Sequence, residues 1–325
     1  MKIFTKIVLL AVFICTNFMF VQASSYIEIK VPPQVLEPKL LSLENLHKLA
    51  RSIYAKPINE KILRFSEYFM GKPYNFTIGE KLISWDQDRN QLALINIDTF
   101  DCISYVEMVL ALAKTSPVPR DIKVFVTMFL NNLTNLMFSQ KDTTYYTRNH
   151  FIDTEWLKHN SSIIGKNVFS NLDYTRHKTA LINKSGLLDT QLHNYAEKYM
   201  PKNQHINFFN KYKKSLVEVK PIYSNVNYIT FSDFLSCERV LTKKLKGKIY
   251  LFVMIMDNPK MLELTNSDHN VGHVGFVFVR NNKLYLRHAT SIGNKVVEEQ
   301  LLSTVAQSKQ NSKIFPGFTL FEIKG

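Results

Sequence analysis

The stretch Asp98-Thr99-Phe100-Asp101-Cys102-Ile103-Ser104-Tyr105-Val106-Glu107 predicts the opening turns of a buried helix with a cysteine near its start. Ile103, Val106, Val109, Leu110 and Ala113 recur at a helical period. Asp98 and Thr99 suit the N-cap, where a side-chain oxygen accepts an otherwise unpaired backbone N–H, and Asp101 adds acid to the first turn. The helix should end near Ala113-Lys114. Ser116-Pro117 and Pro119 follow, and proline both lacks an N–H and disfavours helix in the residue before it.

The position of the cysteine has chemical consequences. The first N–H groups of a helix have no partner within it and carry partial positive charge. They favour a thiolate, so a thiol there is expected below its ordinary pKa. The same groups can hold an oxyanion forming on an attacked carbonyl. The competing reading is a small buried hydrophobe, which free cysteine often is.

The chain around this helix has 325 residues, 46% of them hydrophobic, which suits a globular protein with a full core. Its beginning has the pattern of a signal peptide over residues 1–23: Lys2 and Lys6, an apolar run from Ile7 to Ile14, and Val21-Gln22-Ala23 before the cleavage point. The apolar run is short for a membrane span, and no later stretch is apolar for long enough to cross a bilayer. A mature chain over 24–325, periplasmic or secreted and without stable membrane insertion, is therefore expected. Loss of Lys2 and Lys6 takes the formal charge from +14 to +12. Such a surface favours acidic partners, but the Lys and Arg residues are too dispersed to mark a nucleic-acid site. Two cysteines remain after the leader, Cys102 and Cys237. A disulfide between them would be possible in an oxidising compartment and would silence Cys102 as a nucleophile.

In chain order, Ser24 to Leu40 reads as an extended arm, and Leu43–Tyr54 and Ile58–Phe69 as amphipathic helices. Met70-Gly71-Lys72-Pro73-Tyr74 is a turn signal, and Trp85 lies in a loop where it could pack inward. After the cysteine helix, Ile122–Met137 reads as another helix. A polar-aromatic tract follows, from Tyr145 through Arg148, Asn149 and His150 to Trp156, and suits a binding wall on a loop. Residues 161–247 carry weaker signals, with helices around Leu187–Tyr199 and Phe231–Cys237. Strands are expected at Lys248–Met256, His273–Arg280, Lys283–Arg287 and Phe318–Ile323.

Asn281-Asn282 tolerates the positive φ of a tight hairpin turn. If these two residues form the turn, position 275 faces 288 and 273 faces 290. His273 and His288 then share a face one diagonal step apart, with backbones about 7–8 Å from each other. A cysteine, a base and a group that orients the base is the general arrangement of an activated nucleophile. Zinc on His269, His273 and His288 is the other chemistry open to these residues, but no tight metal-binding spacing appears.

Taken in order, Gly71-Lys72-Pro73-Tyr74, Phe100-Asp101-Cys102, Gly272-His273-Val274-Gly275-Phe276 and Arg287-His288-Ala289-Thr290-Ser291 resemble the NlpC/P60 cell-wall hydrolases. The closer likeness is to their amidase-like branch, DUF1460. It lies in Asp101 to Ala113 and in Arg148-x-His150 with Trp156 downstream, and it spans most of residues 40–325.

The resemblance implies an α+β, papain-like fold in which the nucleophile helix packs on an antiparallel sheet. The fold would form a single catalytic domain over 24–325, with a long insertion at about 116–245. It implies Cys102 as nucleophile, His273 as general base and His288 as the residue orienting it. Tyr74 and Asp101 are implied at the oxyanion or substrate, and Arg148, Asn149, His150 and Trp156 along the substrate wall. The chain departs from the broader family in having Ile103 after the cysteine and 171 residues between Cys102 and His273.

The reaction implied is hydrolysis of the N-acetylmuramoyl–L-alanine amide of muropeptides, without metal or organic cofactor, by a monomer acting on peptidoglycan fragments. The alternatives are a stem-peptide endopeptidase on the same fold and an inactive wall-binding protein. A cysteine–histidine pair also predicts a pH optimum near neutral or mildly alkaline.

Overall fold

The computed structural model of the protein describes residues 36–76, 96–139, 144–217 and 219–324. The expected leader, the start of the expected arm and Trp85 lie outside these residues. The chain from Leu36 is helical, so the end of the expected extended arm is instead the first turn of α1 (Leu36–Ser52). Then come α2 (Ile58–Tyr68), α3 (Cys102–Lys114) and α4 (Ile122–Met137).

Helix α3 begins at Cys102 because Asp101, not Asp98 or Thr99, is its cap. The Asp101 carboxylate accepts the Ser104 N–H at 2.7 Å, and the Ser104 hydroxyl accepts the Asp101 N–H at 3.0 Å, a reciprocal capping box. Asp98 and Thr99 instead belong to the preceding turn, where both backbone N–H groups reach the Asn96 side chain. Every residue of α3 from Tyr105 to Ala113 is buried, so the helix is enclosed on all sides rather than amphipathic. Each of its fully buried Val, Leu and Met side chains contributes about 1.5–3 kcal/mol of hydrophobic stabilisation.

The strands are β1 (Ile164–Asn167), β2 (Arg176–Ile182), β3 (Ile222–Thr230), β4 (Ile249–Ile255), β5 (Val271–Arg280), β6 (Lys283–Thr290), β7 (Lys295–Gln300) and β8 (Gly317–Ile323). They form one antiparallel sheet in the order β2-β3-β8-β4-β5-β6-β7, with β1 also paired to β8. Residues 116–245 therefore add three strands to the same sheet as the C-terminal ones, besides α5 (Lys184–Tyr199), α6 (His205–Val217) and α7 (Phe231–Lys244). Helix α7 is two turns longer than expected, running past Cys237. Two further short helices are α8 (Pro259–Thr265) and α9 (Leu301–Ser308).

Strand β4 shows how the layers meet. All seven of its residues are buried, and they alternate between two cores. Ile249, Leu251, Val253 and Ile255 pack with α1–α4, whereas Tyr250, Phe252 and Met254 pack with α7 and α9. A strand covered on both faces reads as a continuous apolar run, which is why Lys248–Met256 was legible as a strand but not as the middle layer of three. Among the described residues no helix is long and apolar enough to cross a membrane.

Candidate active site

The hairpin of β5 and β6 sets the geometry. Asn281 and Asn282 have φ of 51° and 56°, as a two-residue turn requires, and Arg280 pairs with Lys283. The register holds as expected up to Phe276 opposite Arg287 and stops there, although β5 runs back to Val271 and β6 on to Thr290. Gly275 still faces His288 as expected, but the ladder hydrogen bonds that would carry the pairing on to 273 and 290 are not made. Beyond Phe276 the inner partners are other strands: His273 pairs with Met254 of β4, and His288 with Val297 of β7.

Both histidines project from the sheet face that carries the second core, because Met254 and Leu286 on that face belong to it. Their rings bridge the opening. His273 Nε2 lies 2.5 Å from His288 Nδ1, with ring centroids 4.8 Å apart and planes at 76°. Gly275 makes room for this arrangement: a Cβ there would come within 2.8 Å of the His288 Cβ and 3.0 Å of the Arg287 carbonyl.

Helix α3 packs on the opposite face, and its first residue meets the same opening. In a ladder closed by Arg280 and Lys283, every second residue back from Arg280 turns its N–H toward β6. The Val274 N–H is thus left over where the pairing ends, and it donates to the Cys102 thiol. Cys102 and Cys237 are both free, so no disulfide removes the sulfur. Cys237 sits on α7 against the second core, where its partner is the Tyr174 hydroxyl.

The expected lowering of the thiol pKa is reversed. Burial, and then the Asp101 charge beside it, push the Cys102 thiol up to about 12. The N–H groups of Val274, Ile103 and Cys102 act in the other direction and do not outweigh these effects. Burial, with His288 next, holds His273 well below the ordinary imidazole value. Both directions favour the neutral thiol and the neutral imidazole.

Glu299 is a residue the sequence reading missed. Its Oε1 lies 3.0 Å from His288 Nε2, and that hydrogen bond is the main reason its carboxyl sits below the usual range. The signal was the strand Lys295–Gln300 itself, which went unread. Its neighbour Glu298 points to the other face and pairs with Arg280 and Arg287, and Arg287 also donates to the Leu63 carbonyl and Ser66 hydroxyl of α2 at 2.8 and 2.6 Å.

Tyr74 is held close to the cysteine by the backbone. Gly71 and Lys72 pair with Val296, the Tyr74 N–H reaches the Asn294 carbonyl at 3.0 Å, and Tyr74 bridges Phe100, two residues before Cys102. Asp101 is poorly suited to an oxyanion. Its carboxyl is committed to the cap and its charge opposes a second negative centre.

The tract from Arg148 to Trp156 does not form an open wall. Arg148, Asn149 and Trp156 are 7%, 3% and 0% exposed. Glu107, fully buried in α3, accepts from Arg148 Nη2 at 3.1 Å and from Trp156 Nε1 at 3.0 Å. Burial nevertheless pushes the Glu107 carboxyl up to about 7 against the pull of Arg148. Asn149 pairs with the backbone of α4, its N–H meeting the Met137 carbonyl at 2.9 Å. His150 Nε2 is fixed 2.6 Å from the Tyr145 carbonyl. These side chains brace the loop against α3 and α4. The His269 ring lies tilted against Phe151, and among the described residues no three His, Cys, Asp or Glu side chains cluster to hold a metal.

A model of the family described as AmiA-like, N-acetylmuramoyl-L-alanine amidase-like, matches residues 64–312. A crystal structure of a DUF1460 protein from Legionella pneumophila str. Philadelphia 1 superposes with a TM-score of 0.72 at 22% identity, covering 88% of this chain and 96% of that one. An N-acetylmuramoyl-L-alanine amidase from Bacteroides uniformis ATCC 8492 superposes with a TM-score of 0.52 at 21% identity, covering 82% of this chain and 99% of that one. At these identities the two structures share the fold. No curated protein matches the chain.

Proposed function

Because the chain belongs to the N-acetylmuramoyl-L-alanine amidase-like family, we propose that it is a cell-wall hydrolase: a cysteine amidase on the papain-like NlpC/P60 plan that cleaves the N-acetylmuramoyl–L-alanine bond of muropeptides. The observation that carries this reading is the unbridged Cys102 thiol, met by the Val274 N–H at the same strand opening that His273 and His288 span.

With both partners neutral at rest, attack and deprotonation go together. Sγ bonds to the lactyl carbonyl carbon as His273 takes the thiol proton, and charge moves to the carbonyl oxygen. The backbone N–H groups at the start of α3 are available to that oxygen. His273 then gives its proton to the alanine nitrogen, the C–N bond breaks and the peptide leaves. Water, deprotonated by His273, attacks the thioester, releases the sugar acid and restores the thiol.

The leader-like pattern of residues 1–23 supports delivery to the periplasm or beyond, where the monomer meets peptidoglycan fragments. A chain lacking those residues should stay in the cytoplasm on fractionation.

Mass spectrometry of digested muropeptides tests the reaction. Free stem peptide beginning with L-alanine is the expected product, and Cys102→Ala should lower its yield at least about a thousandfold. Release of L-Ala–D-Glu instead would make the chain an endopeptidase. Unchanged yield from the variant would rule out Cys102 as the nucleophile and with it both hydrolase readings, and no product from parent or variant would leave only a binding protein.

The acid limb of kcat/KM gives a further check. A depressed His273 stays unprotonated below pH 6.5, so the rate should hold through that pH and fall only in more acid solution. On the alkaline side a thiol near 12 titrates too late to shape the profile below pH 9. The neutral optimum expected from an unperturbed pair becomes a broad plateau.

A further inference from the structure

We propose that Glu299 is a positioning residue that sets the proton arrangement of both histidines and leaves Nδ1 of His273 as the basic nitrogen; this rests on the amidase reading of the same site. The argument follows the hydrogen bonds inward from β7. A carboxylate only accepts, and Glu299 Oε1 lies 3.0 Å from His288 Nε2, so that nitrogen carries the proton. With the ring protonated at Nε2 alone, Nδ1 presents a lone pair. His273 Nε2, 2.5 Å away, must donate to it, because two lone pairs cannot share that distance. Nδ1 of His273 is left without a proton and can take one from a thiol.

The reverse arrangement, with the proton of His288 on Nδ1, would put the His273 proton on Nδ1 and leave the site without a base. The hydrogen-bond partners forbid it only while position 299 is an acceptor.

The placement of Glu299 is specific to this task. Val297 is the register partner of His288 and Glu299 that of Leu286, so Glu299 stands one diagonal step from His288 on the same face. The side chain is also hydrogen-bonded to Thr304 at the start of α9, which steadies it from the other side. Glu298, the adjacent glutamate, has its own pair of arginines on the opposite face and cannot substitute. When His273 becomes an imidazolium during attack, both its nitrogens are protonated. The negative charge two hydrogen bonds away then compensates the positive one.

Glu299→Gln, Glu299→Ala and Glu299→Asp in the full mature chain test this, with muropeptide hydrolysis and histidine 15N NMR as separate readouts. The amide of glutamine can also donate, so it admits the wrong tautomer. The expected result is a fall of about 10–100-fold in kcat with KM unchanged, and an acid limb moved to lower pH as the imidazolium loses its counter-charge. Glu299→Asp should recover part of the rate.

In the NMR spectrum the parent should show both rings protonated at Nε2, and Glu299→Gln a mixture. Unchanged tautomers together with an unchanged pH profile in Glu299→Gln would overturn the assignment. The NMR arm is read in a Cys102→Ala background, so it judges the proton arrangement even if the amidase reading fails. An active Cys102→Ala, by contrast, sinks that reading alone.

Discussion

Two groups of polar side chains involve α3, and they differ in what they are for. Near the middle of the helix, Glu107 is enclosed with Arg148 and Trp156, and its two oxygens are both engaged. At the start of the helix, Cys102 meets an opening where β5 and β6 part, and a chain of hydrogen bonds leads from His273 through His288 to the partly exposed Glu299. In the first group the pairing stays within the protein, apart from Arg148 Nη1, which has no partner. The second leaves one nitrogen of His273 and one sulfur for chemistry. Burial and perturbed pKa values occur in both groups, so neither property by itself marks a reactive site.

The difference is open to test by breaking each group. Glu107→Ala should have the largest effect, and on stability alone. It strands a buried guanidinium and the Trp156 N–H, a loss of about 3–5 kcal/mol. Thermal unfolding should drop by on the order of 10 °C for a chain of this size. Activity per folded molecule should stay near that of the parent.

Glu107→Gln sharpens the point through pH. The folded pKa, about 7, lies above that of a free glutamate, so the stability linked to the protonated form is complete below about pH 4.5. It is lost as pH rises through 7. The parent Tm should therefore fall across that window relative to the glutamine variant. Parallel Tm curves for the two proteins would mean that Glu107 is ionised in the fold throughout.

Gly275→Ala should break the other group. The added Cβ would sit 2.8 Å from the His288 Cβ, and the Arg287 carbonyl on the same side is backbone and cannot swing away. His288 must move, and its hydrogen bond to His273 with it. A fall of about tenfold or more in kcat is expected, against a stability cost of about 1–3 kcal/mol. Full activity in this variant would show that the His273–His288 contact is dispensable.

Much of this molecule can be read from residues alone, for reasons that differ by region. The cysteine helix was legible because α3 is continuous apolar sequence ended by prolines. The hairpin was legible because Asn281-Asn282 can adopt positive φ. What failed was whatever depended on contacts between distant segments. The exception is local: the cap was read at Asp98 and Thr99, and the reciprocal bond with nearby Ser104 makes it Asp101. Arg148 and Trp156 read as an exposed wall because nothing local shows that Glu107, some 40 residues earlier, lies behind them. Strand pairing was extended to 273 and 290 by simple counting. The ladder between β5 and β6 stops instead where the thiol takes the Val274 N–H that would have continued it. The direction of the thiol pKa was misjudged for a related reason. The helix start was visible in the sequence, but the burial and the aspartate beside the sulfur, which outweigh it, belong to the fold.

That last error leads to the smallest of these effects. The Asp101 charge is the second cause of the raised thiol pKa, after burial. Asp101→Asn keeps an oxygen to accept the Ser104 N–H, since asparagine caps about as well as aspartate, and removes the charge. The thiol should then ionise at lower pH, though still above an ordinary cysteine, because the burial cost stays. Iodoacetamide attacks only the thiolate. Its rate on Cys102 should rise steadily with pH in the parent up to at least pH 9, and should lie several-fold higher in Asp101→Asn at each pH, with Tm changed by little. Equal rates would mean that the aspartate does not act on the sulfur and that burial alone sets its pKa. A slower rate in the variant would mean that the carboxylate helps ionisation, and the neutral resting pair inferred for the site would have to be given up.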